Sequence, residues 1–180
     1  IGSTIASGYA TRLASSRLAS LLPNLESRIR VKSDPVTNSA ETGPSEPTPQ
    51  VELSSLEGQR LKLSDFHGRV VLLNFWATWC GPCRAEIPEL NKLQRDFEAS
   101  GLAVIGVSWD DSAAGVREFQ KEIRQDYTVL LSGEDAQDKF EAIRSLPTTY
   151  VIDREGRIRQ RIIGARDRTQ FEAALKPLLN

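Results

Sequence analysis

Cysteine and histidine are scarce in this chain. Its 180 residues hold two cysteines and one histidine, too few for a small domain stapled by several disulfides. No apolar run approaches the roughly 18 residues that a membrane-spanning helix needs; Val70-Val71-Leu72-Leu73 ends at once on Asn74. Charge of neither sign prevails, with 23 Lys and Arg against 24 Asp and Glu and a formal net charge of -1. That excludes the basic footprint of a nucleic-acid-binding protein and argues against holding an anionic membrane by charge alone. Large side chains are missing from the first third: of twelve Phe, Trp and Tyr residues, only Tyr9 precedes Phe66.

Length suits one domain with an appendage, and the aromatic distribution places that domain late. Residues 32–50 carry four of the nine prolines and no aromatic. Such a composition buries too little apolar surface to offset the entropy of ordering, so a flexible, partly extended linker is expected there. Residues 1–31 precede it. Leu18, Leu21, Leu22, Leu25 and Ile29 recur at helical spacing, interrupted by Pro23, and suit an amphipathic helix or a juxtamembrane stalk. Residues 1–25 are also Ser-rich, with Arg12 and Arg17 and no acid, the composition of a transit peptide. The first residue is Ile1 rather than Met, so processing or truncation, with a signal peptide or anchor lost before it, is the expectation.

From Val51 the pattern alternates. VELSSLEGQRLKLSDF reads as a hairpin turning at Glu57-Gly58. Val70–Phe75 is an apolar run suited to a strand covered on both faces. Residues 84–99, 112–125, 135–144 and 167–179 show helical period. Strands are expected at 103–109, 129–131, 148–152 and 158–163, the last two joined by a turn at Arg154-Glu155-Gly156-Arg157. The sum is an α/β domain over residues 51–180, a mixed central sheet flanked by helices.

The chemistry-bearing motif is Trp79-Cys80-Gly81-Pro82-Cys83, between a buried strand and a helix. A helix N-terminus offers free N–H groups and a partial positive charge, which favour a thiolate. A thiol of pKa about 8.5 is only about 3% ionised at neutral pH. Lowering it to about 7, as in such motifs, makes it about half ionised. Pro82 fits the first helical turn, where a missing N–H costs nothing. Cys80, at the helix end, is expected to be exposed and nucleophilic, and Cys83, one turn in, shielded. Two other readings compete. Zinc needs four ligands, and beyond the pair this chain offers only His67, which sits beside Gly68 in a turn and suits the surface. A structural disulfide closing so short a loop would add little stability.

Phe75-Trp76-Ala77-Thr78-Trp79-Cys80-Gly81-Pro82-Cys83 and Leu146-Pro147-Thr148-Thr149 before a strand resemble the thioredoxin superfamily, and more narrowly its TlpA/ResA group of thiol–disulfide oxidoreductases. The resemblance spans about residues 51–180. It implies a thioredoxin fold with an N-terminal β-hairpin and one extra strand-helix unit between Cys83 and Pro147. It implies a cis Pro147, with Leu146 offering its backbone to an extended substrate strand, and Trp79, Gly81 and Pro82 beside the reactive sulfur. It implies no cofactor beyond the Cys80–Cys83 redox pair, disulfide-containing protein substrates such as apocytochrome c, a membrane thiol electron donor and an extracytoplasmic, membrane-tethered setting.

Plain thioredoxins carry a buried aspartate in the strand before the motif. Asn74, which cannot ionise, stands there instead. Glu86, three residues after Cys83, shares its helical face and is the candidate proton acceptor. The Gly-Pro pair favours a reductase of protein disulfides. A thiol peroxidase of the peroxiredoxin kind would want Pro and Thr where Leu73 and Ala77 stand. A non-enzymatic binding or chaperone module would have no need of both cysteines.

Overall fold

In the computed structural model, residues 46–180 are described, apart from Asp111, Glu141 and Ala142. The stalk or transit segment expected over 1–31 and the linker over 32–45 lie outside the described residues. Eight strands form one sheet: β1 (Glu46–Pro47), β2 (Glu52–Ser55), β3 (Arg60–Lys62), β4 (Val70–Trp76), β5 (Leu102–Ser108), β6 (Thr128–Leu131), β7 (Thr148–Ile152) and β8 (Arg157–Ile163). Four α-helices accompany them: α1 (Gly81–Phe97), α2 (Ala113–Glu122), α3 (Gly133–Lys139) and α4 (Arg168–Leu179). Across the sheet the order is β1-β8-β7-β4-β5-β6-β2-β3. Pairing is parallel for β4 with β5 and β5 with β6, and antiparallel elsewhere.

Central β4 is buried at all seven positions because both its faces are covered. Val70 and Leu72 meet Leu90 and Leu93 of α1 and Phe171 and Leu175 of α4. Leu73 and Phe75 look the other way, toward Leu63, Ala136, Phe140 and Tyr150. Trp76 turns with the first face toward Ile87, Val116 and Phe119. Period-2 alternation thus delivers apolar side chains to both layers, each fully buried one contributing about 1.5–3 kcal/mol. The expected mixed sheet with helices on both faces is present. The coverage is unequal, however: α1, α2 and α4 share one side, while short α3 and a 3-10 turn at Leu63–Phe66 serve the other.

The β2–β3 hairpin turns where the sequence reading put it, with Gly58 at φ +84°, a conformation that disfavours a Cβ. His67 ends the Leu63–Phe66 turn at the surface. The helix expected over 135–144 is shorter and earlier, ending at Lys139. The linker expected to run to residue 50 does not: Glu46 and Pro47 pair with Ile158 and Arg157 of β8. Buried Thr48 donates both its N–H (3.0 Å) and its hydroxyl (2.8 Å) to the Gly156 carbonyl. Main-chain pairing needs no apolar side chain, so composition gave no sign of it. Val51 is therefore inside the fold rather than its first residue.

Candidate active site

The β4 strand ends at Trp76, and Ala77-Thr78-Trp79 carry the chain to α1. This connection is pinned. The Asp110 carboxylate, just past β5, accepts from Thr78 N–H (2.8 Å), the Thr78 hydroxyl (2.6 Å) and the Ser108 hydroxyl (2.6 Å). Trp109 N–H donates to the Trp76 carbonyl at 2.8 Å. Cys80 is the N-cap of α1, its sulfur accepting from Cys83 N–H at 3.3 Å, with Pro82 in the first turn.

Cys80 and Cys83 are joined as a disulfide, their Cα atoms 5.3 Å apart. The expectation of an exposed Cys80 is corrected here. It is 5% exposed against 1% for Cys83, so the order of depth holds but neither cysteine is open. The reason is packing: the oxidised pair belongs to a cluster with Trp76, Ala77 and Ile87, and Leu146 lies against it. Around this floor Gly81 and Pro82 are exposed, and Trp79 projects at 72% exposure, a large apolar surface left to water. The Leu146–Pro147 bond is cis. The Pro147 carbonyl accepts from Gly164 N–H at 2.8 Å, which ties this loop to the end of β8.

Glu86 is buried, at 2% exposure. Arg166 N–H donates to its Oε1 at 2.8 Å, and Asn74 Nδ2 donates to its Oε2 at 2.9 Å. Asn74 Nδ2 also donates to Thr149 Oγ1 at 2.9 Å, Asn74 and Thr149 being register partners across β4 and β7. Burial pushes the Glu86 carboxyl up from 4.5 to about 7. The Arg166 N–H, the Asn74 amide and the Arg166 charge pull the other way without cancelling it.

The fold gathers Cys80, Cys83 and Leu146 at one cluster, with Pro147 next to Leu146, and Glu86 lies about one turn beyond Cys83 on α1. Sequence reasoning missed Thr149, Arg166 and Asp110. Asp110 had a usable signal, a Ser-x-Asp after a buried parallel strand, at the strand ends where α/β sites gather. The hydrogen bond from Arg166 comes from its main chain, which residue identity does not reveal.

The AhpC/TSA family model matches residues 44–161 of this sequence. The chain belongs to the AhpC/TSA family. The thiol-disulfide oxidoreductase ResA of Bacillus thuringiensis subsp. konkukian is 33% identical over 130 residues, 72% of this chain and 75% of the relative. The thioredoxin-like protein YneN of Bacillus subtilis is 35% identical over 130 residues, covering 71% and 75%. The crystal structure of a thiol:disulfide interchange protein of the thioredoxin family from Chlorobium tepidum TLS superposes with a TM-score of 0.69 at 26% identity, covering 77% of this chain and 99% of that one. This AhpC/TSA member thus has the thioredoxin fold that its motifs implied, and it is a thiol–disulfide oxidoreductase.

Proposed function

We propose that the protein reduces disulfides in other proteins, with Cys80 as entry sulfur and Cys83 as resolving sulfur. The observation that carries this is the pair itself: a disulfide capping α1, its second cysteine the deeper, with a buried carboxyl one turn further along. In the reduced enzyme the Cys80 thiolate attacks a substrate disulfide, and a mixed disulfide forms as the substrate's other sulfur leaves and takes a proton. Cys83 then loses its proton and attacks Cys80 Sγ, which restores the Cys80–Cys83 disulfide and releases the second substrate thiol. Two electrons pass to the substrate, and an external dithiol resupplies them.

Glu86 is the acceptor for the Cys83 proton, directly or through one water. Its midpoint of about 7 lies close enough to a thiol's for transfer to run either way near neutral pH. Trp79, Gly81 and Pro82 form the rim a substrate touches, and Leu146 offers main-chain groups to an extended segment beside Pro147. The family resemblance extends this reading to an extracytoplasmic, membrane-tethered protein fed by a membrane thiol donor and acting on substrates such as apocytochrome c. No described helix is long and apolar enough to cross a membrane.

Removing the resolving thiol should stall the reaction midway. Cys83→Ser, expressed in its native compartment, is expected to accumulate covalent adducts on Cys80 that dithiothreitol releases, and Cys80→Ser few. Mass spectrometry of the adducts names the partner. Adducts collecting instead on Cys83 of Cys80→Ser would reverse the assigned order. Insulin reduction beside hydrogen peroxide consumption separates the reductase from a thiol peroxidase, and failure in both assays would leave a binding module.

A further inference from the structure

We propose that Asn74, seated by Thr149, is a positioning residue that serves both protonation states of Glu86 by turning its side-chain amide over. The inference rests on the reading of Glu86 as a proton acceptor and adds what that role demands of its surroundings. A carboxylate only accepts hydrogen bonds, whereas a carboxylic acid must also donate one. Both Glu86 oxygens face donors, Arg166 N–H at Oε1 and Asn74 Nδ2 at Oε2. That arrangement suits the carboxylate. Protonate Oε2 and its hydrogen points at an N–H, leaving a buried donor without an acceptor, which costs about 1–3 kcal/mol. A carboxyl poised between two states cannot sit in surroundings that fit only one.

Arg166 N–H is main chain and cannot reverse. Asn74 can. A half-turn about its terminal torsion, one with a broad two-fold energy profile, puts Oδ1 where Nδ2 was. Oδ1 then accepts from Glu86 Oε2–H. Thr149 follows, because a hydroxyl both accepts and donates: it accepts from Nδ2 in the first state and donates to Oδ1 in the second. Glu86 Oε2 and Thr149 Oγ1 thus each keep a complementary partner in Asn74 in both states, while the turned Nδ2 takes the side that Oδ1 held. Among the described residues, the charge that acts on Glu86 is the Arg166 guanidinium. Tyr127, before β6, stays a neutral phenol because burial raises it, and the disulfide on α1 is neutral. An aspartate at 74 could not take this part, since its carboxylate never donates.

The test is nuclear magnetic resonance on the oxidised full chain at about pH 8 and about pH 6, either side of the Glu86 midpoint of about 7. Overhauser contacts from the Asn74 Nδ2 protons to the Thr149 methyl are expected to be strong at the higher pH and to weaken several-fold at the lower. In Glu86→Gln they should stop responding to pH. Thr149→Val removes the acceptor that Nδ2 needs only in the carboxylate state, so it should raise the midpoint of the insulin-reduction pH–rate profile by about half to one unit. Asn74→Asp should raise it by more. Should Asn74→Asp fail to fold, the wild-type spectra and Thr149→Val still decide. Contacts identical at both pH values, with Glu86→Gln altering the pH–rate profile, would overturn the amide turnover and spare the proton-acceptor reading. A profile unmoved by Glu86→Gln would overturn both.

Discussion

Glu86 places an ionisable group in an apolar layer, and the fold prefers it neutral. Its carboxyl titrates at about 7 when folded and 4.5 when free. Between those values the native state binds more protons than the unfolded chain, so stability falls as pH rises. The contribution is fully present below about pH 4.5 and gone above about pH 7, a span worth about 3 kcal/mol. Glu86→Gln removes the penalty. Urea denaturation of the oxidised proteins at several pH values should show the two forms nearly equal in acid and the variant the more stable in mild alkali. Parallel curves across the range would mean that Glu86 does not titrate as its burial dictates.

At the scale of elements, the joint between β4 and α1 depends on Asp110. Three donors converge on this carboxylate, two from Thr78, and Thr78 leads straight to Trp79 and Cys80. Asp110→Ala should cost about 1–3 kcal/mol and lower kcat/KM for insulin reduction several-fold, read by a melt beside a steady-state assay. Asp110→Asn, which keeps one accepting oxygen, should fall between. Elements themselves were largely legible in the residues. Val70–Phe75 has no polar residue before Asn74, and a strand buried on both faces leaves that trace. The helices showed their apolar period, and Gly58 and Gly156 marked their turns. What a contact list decides was not legible. The spacing of Glu86 from Cys83 gave a shared face but not whether that face met water, and the packing of the disulfide into the cluster of Trp76, Ala77 and Ile87 turned an expected exposed Cys80 into a covered one.

For the whole molecule the question is where the folded unit starts. Aromatic content pointed to Val51, whereas pairing to β8 and Thr48's bonds to Gly156 carry the structure back to Glu46. A chain beginning at Glu46 should keep the melting temperature and insulin-reducing activity of the full chain. One beginning at Val51 loses the Thr48 bonds and the β1 pairing, should melt at a temperature several degrees lower for about 1–2 kcal/mol lost, and should still reduce insulin. Equal melting of the two would return residues 46–50 to the linker.

The short segment Gly164–Arg166 touches two parts of the site at once. Its first N–H holds the Pro147 carbonyl, and its last holds Glu86 Oε1. On the proposed mechanism, substrate wall and proton acceptor hang from the same three residues. Linkage then runs in both directions with one free energy. In that mechanism, a substrate strand that shifts the Pro147 carbonyl on docking is expected to alter how tightly Glu86 holds its proton. Loading that proton alters substrate affinity by the same factor. Affinity for an unreactive substrate mimic, measured across the Glu86 midpoint, would read the coupling without a single electron being transferred.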